Sequence, residues 1–309
     1  MSLKTFFYSF FKSYFNKKIY MQGLSHLNNA RANYEKVTSL QDVEYKIFSQ
    51  NGEDGIIDFL LNRLQIVKPK FVEVGVGDYL ESNTRFIFER TSASGLIVDC
   101  IEKFDSEVKK NIKIWKGELY IHQEMIAANS LNEILKDYNF DKNLDLFSLD
   151  IDGIDYWVIK NLSKNFSKIA ILEYNPIFGN QLEVTVPDII NFNRQKYHYS
   201  HLCYGVSLKA LVSLMKNKNF YFIGANLMRN NAFFISNEFA KEKYFPNLRI
   251  NDLEYFTNGN ISESRDKSGK LNYLKGNDKL NSILNCDVVD VSNSSNNRGK
   301  LEYFIKKIN

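Results

Sequence analysis

The sequence predicts an α/β protein with a doubly wound, mostly parallel sheet of seven strands whose last strand is antiparallel. Short apolar runs alternate along the chain with segments that carry apolar residues at spacings of three and four. Most of the runs are continuous and apolar enough to be buried, as expected for strands covered on both faces. The last two runs are separated only by 226–231, which is too short for a parallel crossover. We therefore expect these two strands to form a hairpin.

Each predicted element corresponds to one such segment. The candidate strands are Phe71–Gly75, Gly95–Cys100, Leu119–His122, Leu144–Asp150, Ile169–Tyr174, Phe220–Ala225 and Ala232–Ser236. Of the first six, all except the third are apolar enough to be buried on both faces. The clearest helical segments between the strands are Gly55–Leu64, Ser130–Tyr138 and Ser207–Lys216.

Length and composition limit the domain organisation and the partners. The 309 residues, 44% of them hydrophobic, suffice for one large domain with appendages. We expect a helical N-terminal extension in 1–44, a main domain in 45–245 and a C-terminal extension, partly loop, in 246–309. The stretch 287–300 reads as a surface loop before a short final element. Forty basic against 36 acidic residues leave a net charge of +4, too balanced to indicate nucleic-acid binding.

The cysteines and the hydropathy indicate a cytoplasmic protein. The three cysteines, Cys100, Cys203 and Cys286, are odd in number and widely spaced, so neither a disulfide framework nor a zinc cluster is predicted. No apolar run approaches the roughly 20 residues that are needed to cross a bilayer.

The first 20 residues interleave aromatic side chains with lysines. The residues concerned are Phe6, Phe7, Tyr8, Phe10, Phe11, Tyr14, Phe15 and Tyr20, with Lys4, Lys12, Lys17 and Lys18. Two interpretations remain open. The segment is either an interfacial helix in peripheral contact with a membrane or a helix that packs on the main domain or on a second copy in a homo-oligomer. The second is favoured, because the aromatic positions do not form one clean face.

The stretch 71–84 carries the strongest indication of a ligand. A strand-like run ends in Glu73 and is followed by Gly75 and Gly77, where the backbone can turn tightly and lie close to a ligand. No third glycine opens a helix, and Asp78 follows instead, so a pyrophosphate fingerprint is poorly matched. An adenosine cofactor without a diphosphate fits better. An ordinary turn between strand and helix is the alternative.

Polar residues follow the second and third strands, at the edge where such sheets bind ligands. Asp99 stands about two dozen residues after the glycines, where a carboxylate can accept the hydroxyl groups of a ribose. Glu102 is its competitor. Gln123 and Glu124 precede the apolar Met125–Ala127, which could form an adenine contact.

The ends of the fourth and fifth strands concentrate carboxylates. Asp150, Asp152 and Asp155 lie within six residues, and Glu173 and Asn175 end the next strand. Like charges this close repel one another unless a cation or hydrogen-bond donors compensate. We predict one Mg²⁺ or Mn²⁺ bound by Asp150, Glu173 and Asn175. The alternative is that Asp150 orients the cofactor's amino group while Asp152 and Asp155 cap the following helix.

Several segments together resemble a known family. They are Ser49–Gly55, Glu73–Asp78, Ser82–Thr84, Ser148–Trp157 and Arg265–Leu271. This combination is similar to class I S-adenosylmethionine-dependent methyltransferases of the bacterial surface-glycan type, over roughly residues 45–275. The acids of the fourth and fifth strand ends also resemble, more loosely, metal-dependent sugar O-methyltransferases.

The resemblance implies a Rossmann-like fold, S-adenosylmethionine as cofactor and a set of site residues. The cofactor contacts implied are Gln50, Glu73, Gly75, Gly77, Asn83, Thr84, Asp99 and Asp150. Methyl transfer to a hydroxyl also needs a base, and the stretch 197–201 supplies His198 and His201, of which we favour His201. With Asp150 and Asp152 these histidines form the predicted catalytic set. A surface loop with two satisfied histidines is the alternative.

The predicted function is O-methyl transfer to a sugar hydroxyl, on a nucleotide-linked sugar used in capsule or surface polysaccharide biosynthesis. Candidate ligands for the diphosphate of such an acceptor are Arg194, Lys196, Arg229 and Arg265. Two rivals stay open. One is methyl transfer to a phosphoramidate, a lipid or a small amine, and the other is a non-catalytic binding protein with the same fold.

Overall fold

The computed structural model describes residues 3–241, 243–257, 259 and 263–308, and in the first helix it describes the side chains of residue 11 and of residues from 14 onward. Ten strands occur in the described residues: β1 (Lys70–Val74), β2 (Ser94–Asp99), β3 (Glu118–Gln123), β4 (Leu146–Leu149), β5 (Ile169–Glu173), β6 (Val184–Thr185), β7 (Phe220–Ala225), β8 (Asn231–Ser236), β9 (Asp287–Asp290) and β10 (Asn297–Lys300).

Ten α-helices accompany the strands over the same residues. They are α1 (Leu3–Ala30), α2 (Glu53–Arg63), α3 (Arg85–Thr91), α4 (Phe104–Asn111), α5 (Leu131–Asp137), α6 (Asp155–Asn161), α7 (Arg194–Tyr197), α8 (Leu208–Asn217), α9 (Asn277–Ser282) and α10 (Leu301–Ile308). Short 3-10 turns occupy Arg31–Lys36, Leu40–Val43, Ile114–Lys116, Pro176–Phe178 and Leu253–Phe256.

Seven strands form the central sheet in the order β3-β2-β1-β4-β5-β8-β7. The first five in this order pair in parallel, and β8 runs antiparallel to both β5 and β7. All seven predicted strands are present, and the predicted hairpin joins β7 to β8, so the expected Rossmann-like α/β class is confirmed. The antiparallel strand β8 is the last of these seven strands along the chain, but it lies between β5 and β7 rather than at the edge of the sheet.

Helices cover both faces of this sheet because alternate strand residues point to opposite sides. In β1, Val72 and Val74 join a core with α5, α6 and α8, whereas Phe71 joins a second core with α2, α3 and α4. Strand β3 lies at the sheet edge and stays partly exposed. This is the strand that was expected not to be buried on both faces.

A second, three-stranded sheet has the order β10-β9-β6 and packs with α10 around its own apolar cluster. Two of its strands, the central β9 and the edge strand β10, are formed by the stretch 287–300, which was expected to be a surface loop. That expectation is wrong for the two ends of the stretch. The reason is that β6, about a hundred residues earlier in the chain, supplies the partner strand for β9.

The C-terminal end of α1 and the turn after it are anchored to the central domain by a buried carboxylate. Asp58 of α2, 1% exposed, accepts hydrogen bonds from Arg31 Nε (3.0 Å) and Nη2 (2.6 Å), from the Tyr34 hydroxyl (2.8 Å) and from Arg90. Burial alone would raise the pKa of Asp58, but the hydrogen bonds and charges of both arginines lower it. Earlier in α1, Phe11, Tyr14, Phe15 and other large side chains are exposed. Among the described helices, none has the length and apolar character that a bilayer crossing requires.

Candidate active site

The loop after β1 holds together the ends of three strands. Gly75 N donates to Val98 O of β2 (2.9 Å), and Asp150 N, just after β4, donates to Val74 O (3.0 Å). Gly75 has φ +84°, and a Cβ placed on it would lie 1.6 Å from Asp150 O. Only glycine fits here, because a side chain would collide with the neighbouring backbone.

Gly77 differs from Gly75 in what it faces. Its φ is +57°, and a Cβ built on it would meet nothing within 4 Å. Its backbone N–H donates to Asp99 Oδ2 (2.7 Å), and Asp99 Oδ1 accepts from Ile101 N (3.0 Å). The glycine therefore leaves open space beside a half-buried carboxylate.

That space belongs to the first of three neighbouring cavities, of about 390 Å³. Its walls come from the ends of β1, β2, β3 and β4 and from the segment 192–195: Val74, Gly75, Gly77, Val98, Asp99, Cys100, Glu124, Met125, Ile126, Asp150, Ile151, Asp152, Gly153, Ile154, Phe192, Asn193, Arg194 and Gln195. Asp99 lines this cavity, whereas its competitor Glu102 is an exposed residue outside it. Gln123 also lies outside, because its side-chain oxygen accepts from Phe104 N (3.2 Å).

The second cavity, of about 330 Å³, lies on the other side of the glycine loop and includes Gln50, Glu73 and Asn83. Glu73 borders it, but its carboxylate accepts hydrogen bonds from Ser82 Oγ (2.6 Å), Asn83 N (2.8 Å) and Thr84 N (2.9 Å). Thr84 is fully buried, and its hydroxyl pairs with Glu73 and Tyr79. The interpretation of Thr84 as a cofactor ligand is corrected, because Thr84 lines none of the three cavities. Glu73 shapes the loop that carries Asn83 and also borders the second cavity, so its role as a cofactor contact stays a prediction.

The third cavity, of about 270 Å³, is polar and acidic. Its lining residues are Gln50, Asn51, Asp150, Asp152, Glu173, Arg194, His201, Tyr204, Met228, Asn230 and Glu263. Asp150 and Asp152 line all three cavities. The two carboxylates thus stand where the three spaces meet.

Asp150, Asp152 and Glu173 form a tight group of acids. Each offers a carboxylate oxygen, and these oxygens lie within 4.8 Å of one another. Burial raises the pKa of Asp150 and of Glu173 well above their usual values, and the neighbouring carboxylates raise them further. Glu173 is 6% exposed, and its Oε2 has no hydrogen-bond partner among the described residues. Such a group is unfavourable unless it holds a proton or a cation.

Two residues of the predicted acidic set have structural roles. Asp155 accepts from Ile151 N (3.1 Å) and Gly153 N (3.0 Å), so it braces the loop between β4 and α6. Asn175 is fully buried and uses its amide on backbone partners, donating to Leu202 O (2.9 Å) and Tyr204 O (3.0 Å). Its side-chain oxygen accepts from Ile177 N. The prediction of Asn175 as a metal ligand is therefore corrected. The third member of the acidic group is Asp152, not Asn175.

The two candidate histidines lie in different surroundings. His201 lines the third cavity, has φ +60°, and its Nδ1 is buried 3.8 Å from Glu263 Oε1 with no hydrogen-bond partner among the described residues. His198 Nδ1 instead pairs with Ser200 Oγ (2.7 Å), and its ring lies near Cys286. His198 lines none of the three cavities, so the structure keeps only His201 as a candidate base.

Among the four cations proposed to hold a diphosphate, only Arg194 lines a cavity. Its guanidinium donates to Asp152 Oδ1 (2.6 Å) and lies 3.9 Å from Glu263. Arg265 is directed to Gly269 O and Glu263, and Arg229 lies over the ring of Tyr255. The cavity thus has four carboxylates against one arginine, which does not favour an anionic group inside it.

Sequence reasoning missed several lining residues. Glu263, Met228 and Asn230 come from the segments after β8 and between β7 and β8, and Phe192 comes from the loop before α7. The resemblance had marked Arg265–Leu271, which begins two residues beyond Glu263, and only Arg265 in this segment was given a role, as a candidate diphosphate ligand. In the structure this segment is a tight turn, with Arg265 bridged to Leu271, that supports Glu263 at the cavity.

The loop that carries Gln50 depends on a buried acid whose titration is predicted to affect folding. Asp54 Oδ2 accepts from the backbone N–H groups of Ile47, Phe48 and Ser49, each at 2.7 Å, and burial raises the pKa of Asp54 to about 6. Since the folded state holds this proton more tightly than the unfolded state, the stabilisation is full below the unfolded pKa and is lost as the pH rises through about 6. We expect the free energy of unfolding to fall by about 1.4 kcal/mol between pH 5 and 7.5, which is the part of this residue's full effect of about 3 kcal/mol that titrates above pH 5.

Urea unfolding at several pH values measures this effect. Asp54→Asn, which mimics the protonated acid, should flatten the pH dependence. Asp58→Asn is the matched control: the pKa of Asp58 is lowered, so its substitution should reduce stability equally at pH 5 and 7.5. An unchanged slope in Asp54→Asn would contradict the assignment.

Comparison with known proteins gives little beyond the fold. No family model matches the chain, and no curated protein matches it. Among solved structures it is similar to the crystal structure of small RNA methyltransferase HEN1, with 12% sequence identity and a TM-score of 0.35 over 57% of this chain. The chain covers 24% of that protein, and a likeness of this extent carries no conclusion about activity. The sheet order and the antiparallel strand β8 define the protein as a Rossmann-like α/β fold.

Proposed function

We propose that the protein is an S-adenosylmethionine-dependent O-methyltransferase that acts on a sugar hydroxyl. The observation that carries the proposal is the meeting of the three cavities at Asp150 and Asp152. A methyltransferase must bring a donor and an acceptor together at one point, with water excluded from the reacting atoms. Here the glycine-lined cavity suits the donor, and the acidic cavity suits the acceptor.

The residues of the first cavity fit an adenosyl group. Asp99 is placed to accept ribose hydroxyls, and Met125 and Ile126 offer an apolar wall for a base. Gly77 leaves room where a side chain would fill the cavity. Gln50 and Asn83 line the second cavity and are placed to contact the amino-acid end of the cofactor. When bound, S-adenosylmethionine supplies a methyl group already activated on a sulfonium.

The chain's own task is then to orient the acceptor oxygen and to remove its proton. We assign the proton to the imidazole of His201, which lines the third cavity and whose buried Nδ1 has no hydrogen-bond partner among the described residues. Glu263 Oε1, 3.8 Å away, would stabilise the imidazolium that results. Asp150 and Asp152 hold the acceptor at the junction of the cavities, and Arg194 keeps Asp152 in place through its 2.6 Å hydrogen bond.

The acids also fit a divalent cation. Asp150, Asp152 and Glu173 would hold Mg²⁺ or Mn²⁺, and the orphaned Glu173 Oε2 supports this assignment. Such an ion would relieve the repulsion between the carboxylates and would polarise an acceptor hydroxyl. Titration of Mn²⁺ into the protein, read by calorimetry, tests the site directly; Asp152→Asn should weaken the binding.

The charge of the third cavity bears on the acceptor. Hydroxyl groups of a sugar can donate to carboxylates, so a neutral polyol suits this lining. A nucleotide-linked sugar remains our first acceptor class, with its diphosphate lying outside the acidic cavity. The same proposal includes the use of the methylated sugar in surface polysaccharide biosynthesis and a cytoplasmic location for the protein.

A small amine acceptor is the second candidate. It is favoured by the same excess of four carboxylates over one arginine, since a cationic amine would be attracted to this cavity. In that case His201 or an ionised carboxylate would remove the proton from the ammonium group before transfer.

Two measurements test the proposal in sequence. Calorimetry with S-adenosylhomocysteine should show one site per chain, and the absence of binding would refute the enzyme function and leave a non-catalytic binding protein. Labelled donor with panels of nucleotide sugars, methyl glycosides and amines should then identify the acceptor class.

His201→Ala should lower kcat about 10²- to 10⁴-fold while S-adenosylhomocysteine binding is unchanged. His198→Ala is the matched control, because His198 lies outside the three cavities, and it should retain activity. Equal losses in the two variants would contradict the assignment of His201 as the base.

A further inference from the structure

A fourth cavity, which is basic where the third is acidic, lies between α1, α3 and α4. Its volume is about 560 Å³. The lining residues are Asn16, Lys17, Tyr20, Met21, Arg85, Glu89, Lys109, Lys110, Asn111, Ile112, Lys113 and Lys116. Six of them are cationic and one is acidic, so this cavity attracts anions in a protein whose net charge is only +4.

Part of this positive charge is compensated by weak pairs. Lys109 and Lys110 pair with Asp105 and Glu107 within the same helix, in exposed ion pairs of 2.7 and 2.6 Å. Exposed pairs of this kind contribute little and exchange partners readily. Lys116 shares Glu89 with the buried Arg85, which also lies over the ring of Phe48. Even when these three acids are counted, the cationic side chains at the cavity outnumber the acidic ones.

Large exposed aromatic and apolar side chains lie on the same elements that line the basic cavity. Trp115, in the turn that contributes Lys116, is 77% exposed, and Lys113 lies 6.0 Å from its ring centroid. Tyr14, Phe15 and Met21 of α1 are each more than half exposed. Exposed aromatic residues beside clustered lysines are the combination found in proteins that lie on a membrane surface.

We propose that this surface, formed by α1 residues 14–21, the lysines of the cavity and Trp115, docks on a bilayer that contains anionic phospholipids. The lysines would bind the phosphate-bearing headgroups, and the aromatic residues would enter the interface beside them. A second copy of the chain is a poor occupant, because a symmetric contact through this surface would place two sets of cations against each other. The acidic site lies on other elements and is not needed for the docking.

Vesicle co-sedimentation of the full chain tests the proposal. The protein should sediment with vesicles of phosphatidylcholine mixed with phosphatidylglycerol, and not with phosphatidylcholine alone, and added salt should release it. Lys17→Glu/Lys113→Glu should weaken the partitioning about tenfold or more, since each lysine near an anionic surface is worth roughly a factor of five. Phe15→Ser/Trp115→Ser should also weaken it. Lys142→Glu/Lys164→Glu, two exposed lysines elsewhere, is the control that should leave it unchanged.

Several outcomes would overturn the proposal. Equal binding to both kinds of vesicle, or an equal loss in the control variant, would remove the role of the basic cavity. Binding of soluble glycerol phosphate without vesicle binding would identify a site for a soluble anion instead. Dissociation of a dimer by Phe15→Ser/Trp115→Ser, seen by sedimentation velocity in a protein that ignores vesicles, would show a contact between copies. Binding of S-adenosylhomocysteine in each variant serves as the check that the fold is intact.

Discussion

Asp150→Asn is expected to lower kcat/KM for methyl transfer by at least about 100-fold and, at the same time, to keep or raise the stability of the protein at pH 8. The loss follows from the position of Asp150 at the junction of the three cavities. The stability follows from the burial of Asp150 and from the nearby charges of Asp152 and Asp155, which raise the pKa of Asp150, so that its ionised form disfavours the folded state. A substitution that lowers activity without lowering stability indicates that the residue serves function rather than folding.

The measurements are initial rates with labelled donor and thermal unfolding at pH 8. Asp141→Asn, at an exposed position in the turn before β4, is the matched control and should change neither quantity. Calorimetry with S-adenosylhomocysteine separates two roles of Asp150. Retained binding assigns Asp150 to the acceptor and cation, whereas weakened binding assigns it to the cofactor's amino group. An Asp150→Asn variant with full activity would show that the junction is not the reacting point.

Gly75→Ala is expected to have the largest effect on folding. At φ +84° an alanine costs roughly 1–2 kcal/mol, and its Cβ would lie 1.6 Å from Asp150 O, so β1 and the end of β4 must move apart. Overpacking of this kind costs a further 1–3 kcal/mol or about that order, which brings the expected loss to about 2–5 kcal/mol. The midpoint of urea unfolding measures it.

Gly77→Ala is the matched control for the same loop. Its φ of +57° carries a similar backbone cost of roughly 1–2 kcal/mol, but its Cβ would meet no protein atom within 4 Å. This variant should fold and should bind S-adenosylhomocysteine more weakly, because the new methyl group enters the first cavity. If Gly77→Ala bound the ligand normally, the glycine loop would not be the cofactor loop.

The strands of the central sheet could be read from local pattern. Runs such as Phe71–Gly75 and Ile169–Tyr174 are apolar on both faces except at Glu73 and Glu173, and a strand buried on both faces requires a largely apolar composition. The hairpin of β7 and β8 followed from the short connection between them. The insertion of β8 between β5 and β7 did not, because strand order depends on pairing between distant segments.

At the candidate site, sequence located the strand ends but not the direction of each side chain. The residues predicted from the strand ends all line the first cavity: Gly75, Gly77, Asp99 and Asp150. Asn175 turns away to the backbone of Leu202 and Tyr204, segments about 30 residues further along the chain. Residues two apart in a strand share a face, but Asn175 lies beyond the end of β5, where this alternation no longer applies and only the hydrogen-bond partners decide the direction of the side chain.

The amino-acid order alone established the class of sheet, the glycine loop and the edge at which acids gather, since burial and backbone freedom are properties of single residues and their near neighbours. Tertiary structure alone decided that Asp152 rather than Asn175 joins the acids, that His201 rather than His198 faces the cavity, and that Glu263 completes it. These choices depend on contacts between segments far apart in the chain. The free energies of such contacts cannot be derived from a local sequence pattern.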